Sequence, residues 1–469
     1  MLIPISLALT VAQTVPLPVA QAVPQGAQAE RVEILRSQEV RPLSGQLDRV
    51  PVFNSNSPEI VQTEGILLST FPPAGKQTPA AHLNFAFQGR FDLFAHHIAK
   101  ATSPDDLRTL YLGVIVRNPG HRPVRLSILH AASYLSQPDA PFIELDDWIE
   151  NPNGSIYAGP GSRITDDILR GKRQNIWPPV VTIPAKSSDL LLNLPIPVRE
   201  LDPPINGRST LLRLRSSGPV YVASLGKFAR QNPDGSETAP TLAEWESLLA
   251  TGELSGPRDL SPTPLEQRKN FRYGRVAGVA RGSQWRANLT DAPQAYHLTI
   301  PPADQAFSYG ISSLDWGTLG TDQIQSAPML VRYADTAYRA HGNYGIHYHL
   351  TLPLLNPTDR TQTVALALQT PIKEDRLSKA GLRFFQPPER RIFFRGTVRV
   401  RYPDERGLLR NRYVHLVQQR GQQGKPLVTL KLRAGERRLV TVELLYPPDS
   451  TPPQVLTVRT LSASESDLD

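Results

Sequence analysis

Apolar and polar residues alternate with a period of two along much of this chain, the pattern of strands with one face buried. TLYLGVIVR (109–117) and PVRLSILH (123–130) are two such runs, separated by NPGHR, whose Asn118-Pro119-Gly120 is turn chemistry. HYHLTLPLL (347–355), an Asn356-Pro357 turn and TQTVALALQ (361–369) repeat the arrangement. In RIFFRGTVRVRY (391–402) the phase puts Ile392, Phe394, Val398, Val400 and Tyr402 on one face and Arg395, Arg399 and Arg401 on the other. Helical spacing is confined to TLAEWESLLATGEL (241–254), at Leu242, Trp245, Leu248 and Leu249. The pattern predicts an all-β chain with one short helix near its middle.

The strand–turn–strand unit is not the only echo. EIVQTEGILLS (59–69) matches DQIQSAPMLVR (322–332), GRFDLFAHH (89–97) matches GNYGIHYHL (342–350), and IPAKSSDLLLNLPIP (183–197) matches LRAGERRLVTVELLYP (432–447). Four blocks in one order predict a duplicated β-sandwich of immunoglobulin-like or jelly-roll type. The expected first module spans 30–235 with an insertion at 140–179, and the second spans 271–460. The helix and a Pro-rich linker are expected over 236–270, and a disordered tail over 461–469.

Composition agrees with this architecture: 45 Pro and 31 Gly in 469 residues argue against long helices. With no cysteine, disulfides, thiolate nucleophiles and Cys-ligated metal centres are excluded. The net charge of +8 directs attention to an anionic partner. An apolar run from Leu2 to Val11, followed by small-residue sites at Thr10-Val11-Ala12, Ala20-Gln21-Ala22 and Ala27-Gln28-Ala29, reads as a signal peptide within 1–29, although no Lys or Arg precedes Arg31. No later run is long enough for a transmembrane segment. Export, to the periplasm or outer cell envelope, is the expectation.

The block GTLGTDQIQSAPMLVRYADTAYRAHGNYGIHYHLTLPLLNPT (317–358), with LDRVPVFNSNSPEIVQTEGILLSTFPP (47–73) and GRFDLFAHHIAK (89–100), resembles a family of exported cyanobacterial proteins of unknown function. The resemblance implies an envelope location and carries over no catalytic residue.

Candidate chemistry is sparse. His347 and His349 fall on the polar face of their strand, about 6.6 Å apart along it, with His341 as the one local third ligand for a metal ion. Half-exposed strand histidines are the commoner outcome, and the sequence supports no cofactor. Glu144, Asp146, Asp147, Glu150, Asp166 and Asp167 crowd the insertion, and paired carboxylates are what glycoside hydrolysis requires. Trp148, Tyr157 and Trp177 of the same insertion are candidates for stacking on sugar rings, or for plugs over the end of a sandwich. AGPGSR (158–163) predicts a turn and a helix N-terminus. Arg395, Arg399, Arg401, Lys431 and Arg433 would form one basic stripe if their strands were neighbours, suited to carboxylated or sulfated glycan.

These features favour a non-catalytic envelope protein that binds or organises an anionic polysaccharide. A glycan-active enzyme using the acidic insertion, and a structural partner of an outer-membrane or surface-layer protein, are the alternatives. The chain carries no nucleic-acid motif.

Overall fold

The computed structural model describes residues 31–267 and 269–462. The expected signal peptide and nearly all of the C-terminal tail lie outside them. Strands dominate, and the described residues contain two short α-helices, Pro160–Leu169 and Leu242–Thr251. None of their helices is long and apolar enough to cross a membrane.

The alternation read from the sequence is realised in the second half. Tyr348, Leu350, Leu352 and Leu354 of strand His347–Leu355 are fully buried, and so are Val398 and Val400 of Glu389–Pro403 and Val440 and Val442 of Arg437–Leu445. They belong to a seven-stranded sheet that orders Gln284–Asn288, His347–Leu355, Arg437–Leu445, Glu389–Pro403, Leu409–Arg420 and Trp148–Glu150, with Leu298–Thr299 beside the second strand. A five-stranded sheet of Glu39–Arg41, Ala306–Ile311, Gln454–Thr460, Gln362–Gln369 and Val428–Leu432 supplies the rest of the same core through Phe307, Leu366, Leu430 and Leu456.

In the first half, strand Ile205–Phe228 pairs with Phe87–Lys100 and Val124–Leu135 over its early residues. After an irregularity between Ser216 and Val220 it turns to pair with Leu110–Arg117. Gly218-Pro219 sits at this corner, where glycine relieves crowding and proline removes a ladder donor. One strand thereby serves both walls of a core built on Phe91, Leu93, Leu112, Val114, Leu126, Leu212, Leu214 and Val222.

The halves also trade strands. Val32–Ser37 pairs with Gly381–Gln386, and Glu39–Arg41 runs parallel to Ala306–Ile311. Pro51–Ser55 pairs with Ala277–Arg281, carrying the first-half sheet on into residues 327–332. Trp148–Glu150, within the 140–179 insertion, forms the far edge of the second-half sheet. Sequence neighbours thus contribute to different sheets, which hydrophobic periodicity does not encode.

Two of the sequence echoes occupy matching places. Asn118 Nδ2 donates to the carbonyls of Arg122 (2.8 Å), Ile183 (3.1 Å) and Pro184 (3.0 Å). Asn356 Nδ2 donates in the same pattern to Arg360 (2.8 Å), Leu432 (3.0 Å) and Arg433 (2.9 Å). Each Oδ1 then accepts from the backbone N–H two residues on, Gly120 and Thr358. The match of 89–97 to 342–350 does not hold in space: Gly89–His97 pairs with the 205–228 strand, whereas His347–Leu350 pairs with 284–288 and 437–445. Alternating runs look alike whatever their position in a sheet.

The Leu242–Thr251 helix opens with a capping box in which Thr241 and Glu244 satisfy each other's free backbone N–H groups. Its fully buried Trp245 covers Gly113, where a Cβ would come within 2.6 Å of the indole. The helix is thereby fastened onto the first-half strands.

Candidate functional site

Register on the second-half sheet is set by the buried side chains, so its outer face can be read row by row. Arg286, His349, Glu443, Arg399 and Tyr413 stand opposite one another on five consecutive strands. The next row is Asn288, Thr351, Thr441, Arg401 and Asn411. In the third, Pro353 faces Leu439, and Pro403 faces Leu409. A charged row, a hydroxyl and amide row and an apolar row therefore lie side by side.

Glu443 is the centre of the first row and is 1% exposed. Arg399 Nη2 donates to its Oε1 at 2.7 Å and its Oε2 at 2.6 Å, and Arg401 Nη2 donates to Oε1 at 2.8 Å. His347 Nε2 lies 3.2 Å and His349 Nδ1 3.5 Å from Oε2. Burial on its own would raise the Glu443 pKa, but the hydrogen bonds from His347, His349 and Arg399 hold it far below the usual carboxylate range. His347 is pushed down to about 4, first by burial and then by Arg213, against the pull of Glu443. At neutral pH the cluster is thus two guanidiniums, one carboxylate and a neutral His347.

His347, His349 and Glu443 bring their ligating atoms within 4.8 Å of one another, the spacing of a metal triad. His341, the third ligand expected from sequence, is elsewhere: its Nε2 lies 2.6 Å from the Gly274 carbonyl oxygen and its ring 4.7 Å from that of Tyr273. Both Glu443 oxygens are engaged by arginines, so a dication would enter beside two fixed positive charges and compete for the same carboxylate. The donor set does not suit a resident divalent metal ion.

The first-half sheet turns its own outer face toward this one. There Asp92, Arg213 and His130 are neighbours on three strands, followed by Arg90, Arg215 and Ser127. The faces meet through Phe94, Ala132 and Leu211 on one side and Leu445 on the other, with Ile164, Ile168 and Leu169 of the 160–169 helix wedged between them. This helix is anchored at its N-terminus by the second half. The Asp449 carboxylate is so close to Gly161 that a Cβ there would come within 2.7 Å of it. Burial raises the Asp449 pKa to about 6, against the pull of Arg395 and the Ser162 and Gly161 amides. The anion at this helix start is therefore the protein's own.

Exposure rises along both faces away from that contact. On the first, Asp92 and Arg213 side chains are 3% and 14% exposed, and Arg215 is open to solvent. On the second, Arg399 is 20% exposed, Arg401 37% and the whole residue Leu439 55%. Two sheet faces that touch at one end and open at the other define a cleft, and both of its walls are rich in arginine.

Several sequence-expected residues fall outside it. Lys431 and Arg433 belong to the end of the Val428–Leu432 strand in the five-stranded sheet, a different layer from Arg399 and Arg401, so the single basic stripe does not form. Arg395 is directed at the Phe142 ring, 5.1 Å away. Trp177 is 4% exposed and donates from Nε1 to Leu191 O at 2.8 Å; it is a core plug and presents no face to a sugar. Trp148 donates from Nε1 to Pro426 O at 3.0 Å with Arg412 over its ring, and Tyr157 lies beneath Arg163. Asp147 pairs with Lys425, Glu150 with Arg412, Asp166 with Arg170 and Asp167 with Lys172. Glu443, Arg286, Arg90 and Arg213 escaped the sequence reading. Glu443 was visible only as a lone acid at an outward position of RRLVTVELL (437–445).

Fold and site together define a largely β protein whose halves are joined across an arginine-lined cleft. The chain belongs to the family described as "Protein of unknown function (DUF3370)", which matches residues 38–460. A search of curated proteins found no match.

Proposed function

We propose that this chain is a non-catalytic, exported envelope protein that binds an anionic wall or surface polysaccharide on the open rows of its second-half sheet. One observation carries this reading. Asn288, Thr351, Thr441 and Asn411 form a line of hydroxyls and amides, none with a side-chain hydrogen bond among the described residues, together with Arg401 and beside Arg286. At about 4.8 Å between strands the row extends roughly 19 Å, the scale of an extended oligomer. Sugar hydroxyls match the Asn and Thr side chains, acidic groups match the guanidiniums, and the Leu439 row offers an apolar floor.

The matching bonds of Asn118 and Asn356 support the further reading that two related sandwich modules underlie the halves. Glycan cleavage by the insertion has less support, because Asp147, Glu150, Asp166 and Asp167 are each engaged by a basic side chain.

The test is co-sedimentation of the purified chain with isolated cell-wall sacculi and with surface polysaccharide across a salt series. Retention should fall with salt and should be lost in Arg286→Glu/Arg401→Gln. An absence of retention at low salt overturns the proposal and redirects the search to envelope proteins captured by the same chain.

A further inference from the structure

The opposite wall of the cleft has a charge arrangement that its own fold does not balance. Arg90 and Arg215 are direct cross-strand partners, and like charges so placed are destabilising. Arg213 shares the face two residues from Arg215, and Arg125 lies diagonally from Arg215, one step beyond the Arg215–Ser127 pair. Four guanidiniums thus accompany Asp92, with Asp48 as the second carboxylate near enough to act on Arg213.

The Asp92 carboxylate is already engaged. Arg90 Nη1 donates to Asp92 Oδ1, while Arg213 Nε stands 3.9 Å from Oδ2, beyond hydrogen-bond distance, and is buried with no partner. Arg125 and Arg215 are exposed, and their guanidiniums make no ion pair among the described residues. Arg213 is close enough across the cleft to depress the His347 pKa, so this wall and the Glu443 wall act on one space.

We propose that Arg125, Arg213 and Arg215 form a second anion-binding wall, and that an acidic glycan strand is held between it and the Arg286–Arg401 face. This rests on the polysaccharide reading and extends it: the ligand carries carboxylate or sulfate groups on both sides of its axis. Each guanidinium fork presents parallel donors to such a group, and simultaneous contact with both walls makes the second contact intramolecular. The Asn and Thr row supplies the contacts that distinguish a sugar chain from any other polyanion.

The experiment is titration of the full chain with fluorescently labelled oligogalacturonate (carboxylated), dextran sulfate (sulfated) and a single-stranded DNA oligomer. It compares wild type, Arg125→Ser/Arg215→Ser, Arg286→Ser/Asn411→Ala and the quadruple variant. All four substituted side chains are exposed, and circular dichroism checks the fold. The expected result is about tenfold weaker glycan binding for Arg125→Ser/Arg215→Ser, a shallower salt dependence, and a quadruple variant weaker than either pair. If Arg125→Ser/Arg215→Ser binds within twofold of wild type while Arg286→Ser/Asn411→Ala is weakened, the two-wall inference fails and the single-face reading stands. If wild type binds neither glycan, both fail. Tighter binding to the DNA oligomer than to either glycan overturns the assignment of ligand class. Preference for one of the two glycans, with both walls required, identifies the acidic group.

Discussion

Arg399 stands directly across from Glu443 in the antiparallel ladder and reaches both carboxylate oxygens from the single nitrogen Nη2, at 2.6 and 2.7 Å. Arg401, two residues along the same strand, completes the set on Oε1. The buried acid holds two arginines at the rim of the cleft, leaving the guanidinium of Arg401 partly open.

Glu443→Gln should therefore destabilise the protein by about 1–3 kcal/mol, because Arg399 and the partly exposed Arg401 lose their compensating charge and their charged acceptor. Urea denaturation at pH 7 checks this. A change below about 1 kcal/mol would show that the cluster is open to water and contributes little.

Acid should weaken the fold from below about pH 6.5, where the buried histidines begin to take up protons on unfolding. Burial depresses His82, His96, His341, His347 and His415 to about 4, and His97 to about 3. In the unfolded chain they titrate near 6.5, so between these values the unfolded state binds more protons and stability falls as pH falls. Each histidine neutral when folded and charged when unfolded contributes a slope of roughly 1.4 kcal/mol per pH unit. Asp449, raised to about 6, works in the opposite direction, as do Glu59, Asp92, Asp166 and Asp259, whose carboxyls burial also raises. Urea midpoints should be clearly lower at pH 5 than at pH 7; equal midpoints would contradict neutral burial of these rings.

Trp177→Ala should cost about 3–5 kcal/mol through the cavity it leaves and the Leu191 carbonyl it abandons. Binding to polysaccharide, measured under conditions where the variant is folded, should equal that of wild type. Weakened binding would return Trp177 to the ligand surface.

Asn118→Ala and Asn356→Ala should be destabilising by similar amounts, about 1–3 kcal/mol each, since each leaves three equivalently placed carbonyls and one amide without the Asn partner. Thermal unfolding of the two variants side by side provides the comparison. A neutral effect at one site would mean that its turn is held by other contacts.

Lys431→Glu/Arg433→Glu should leave polysaccharide retention unchanged, because these cations project from the five-stranded sheet and not into the cleft. Loss of retention in that variant would move the binding surface to the other layer.

The sequence by itself determined the dominance of strands, the short helix at 242–251, and which face of the 347–355 and 391–402 strands is buried. These are local properties: a period of two, a capping box at Thr241 and Glu244, and an Asn-Pro turn are all written within a dozen residues. The inward set Tyr348, Leu350, Leu352, Leu354 and the outward pair His347, His349 were legible for the same reason. What only the tertiary structure decided was partnership. Nothing local relates His347 to Glu443, ninety-six residues away, or directs Arg399 to that acid while placing Lys431 in another sheet. Strand order decides such pairings, and it arises from the packing of whole sheets, including strands borrowed between the halves. Alternation specifies which way a side chain points, whereas the long-range ladder specifies what it meets.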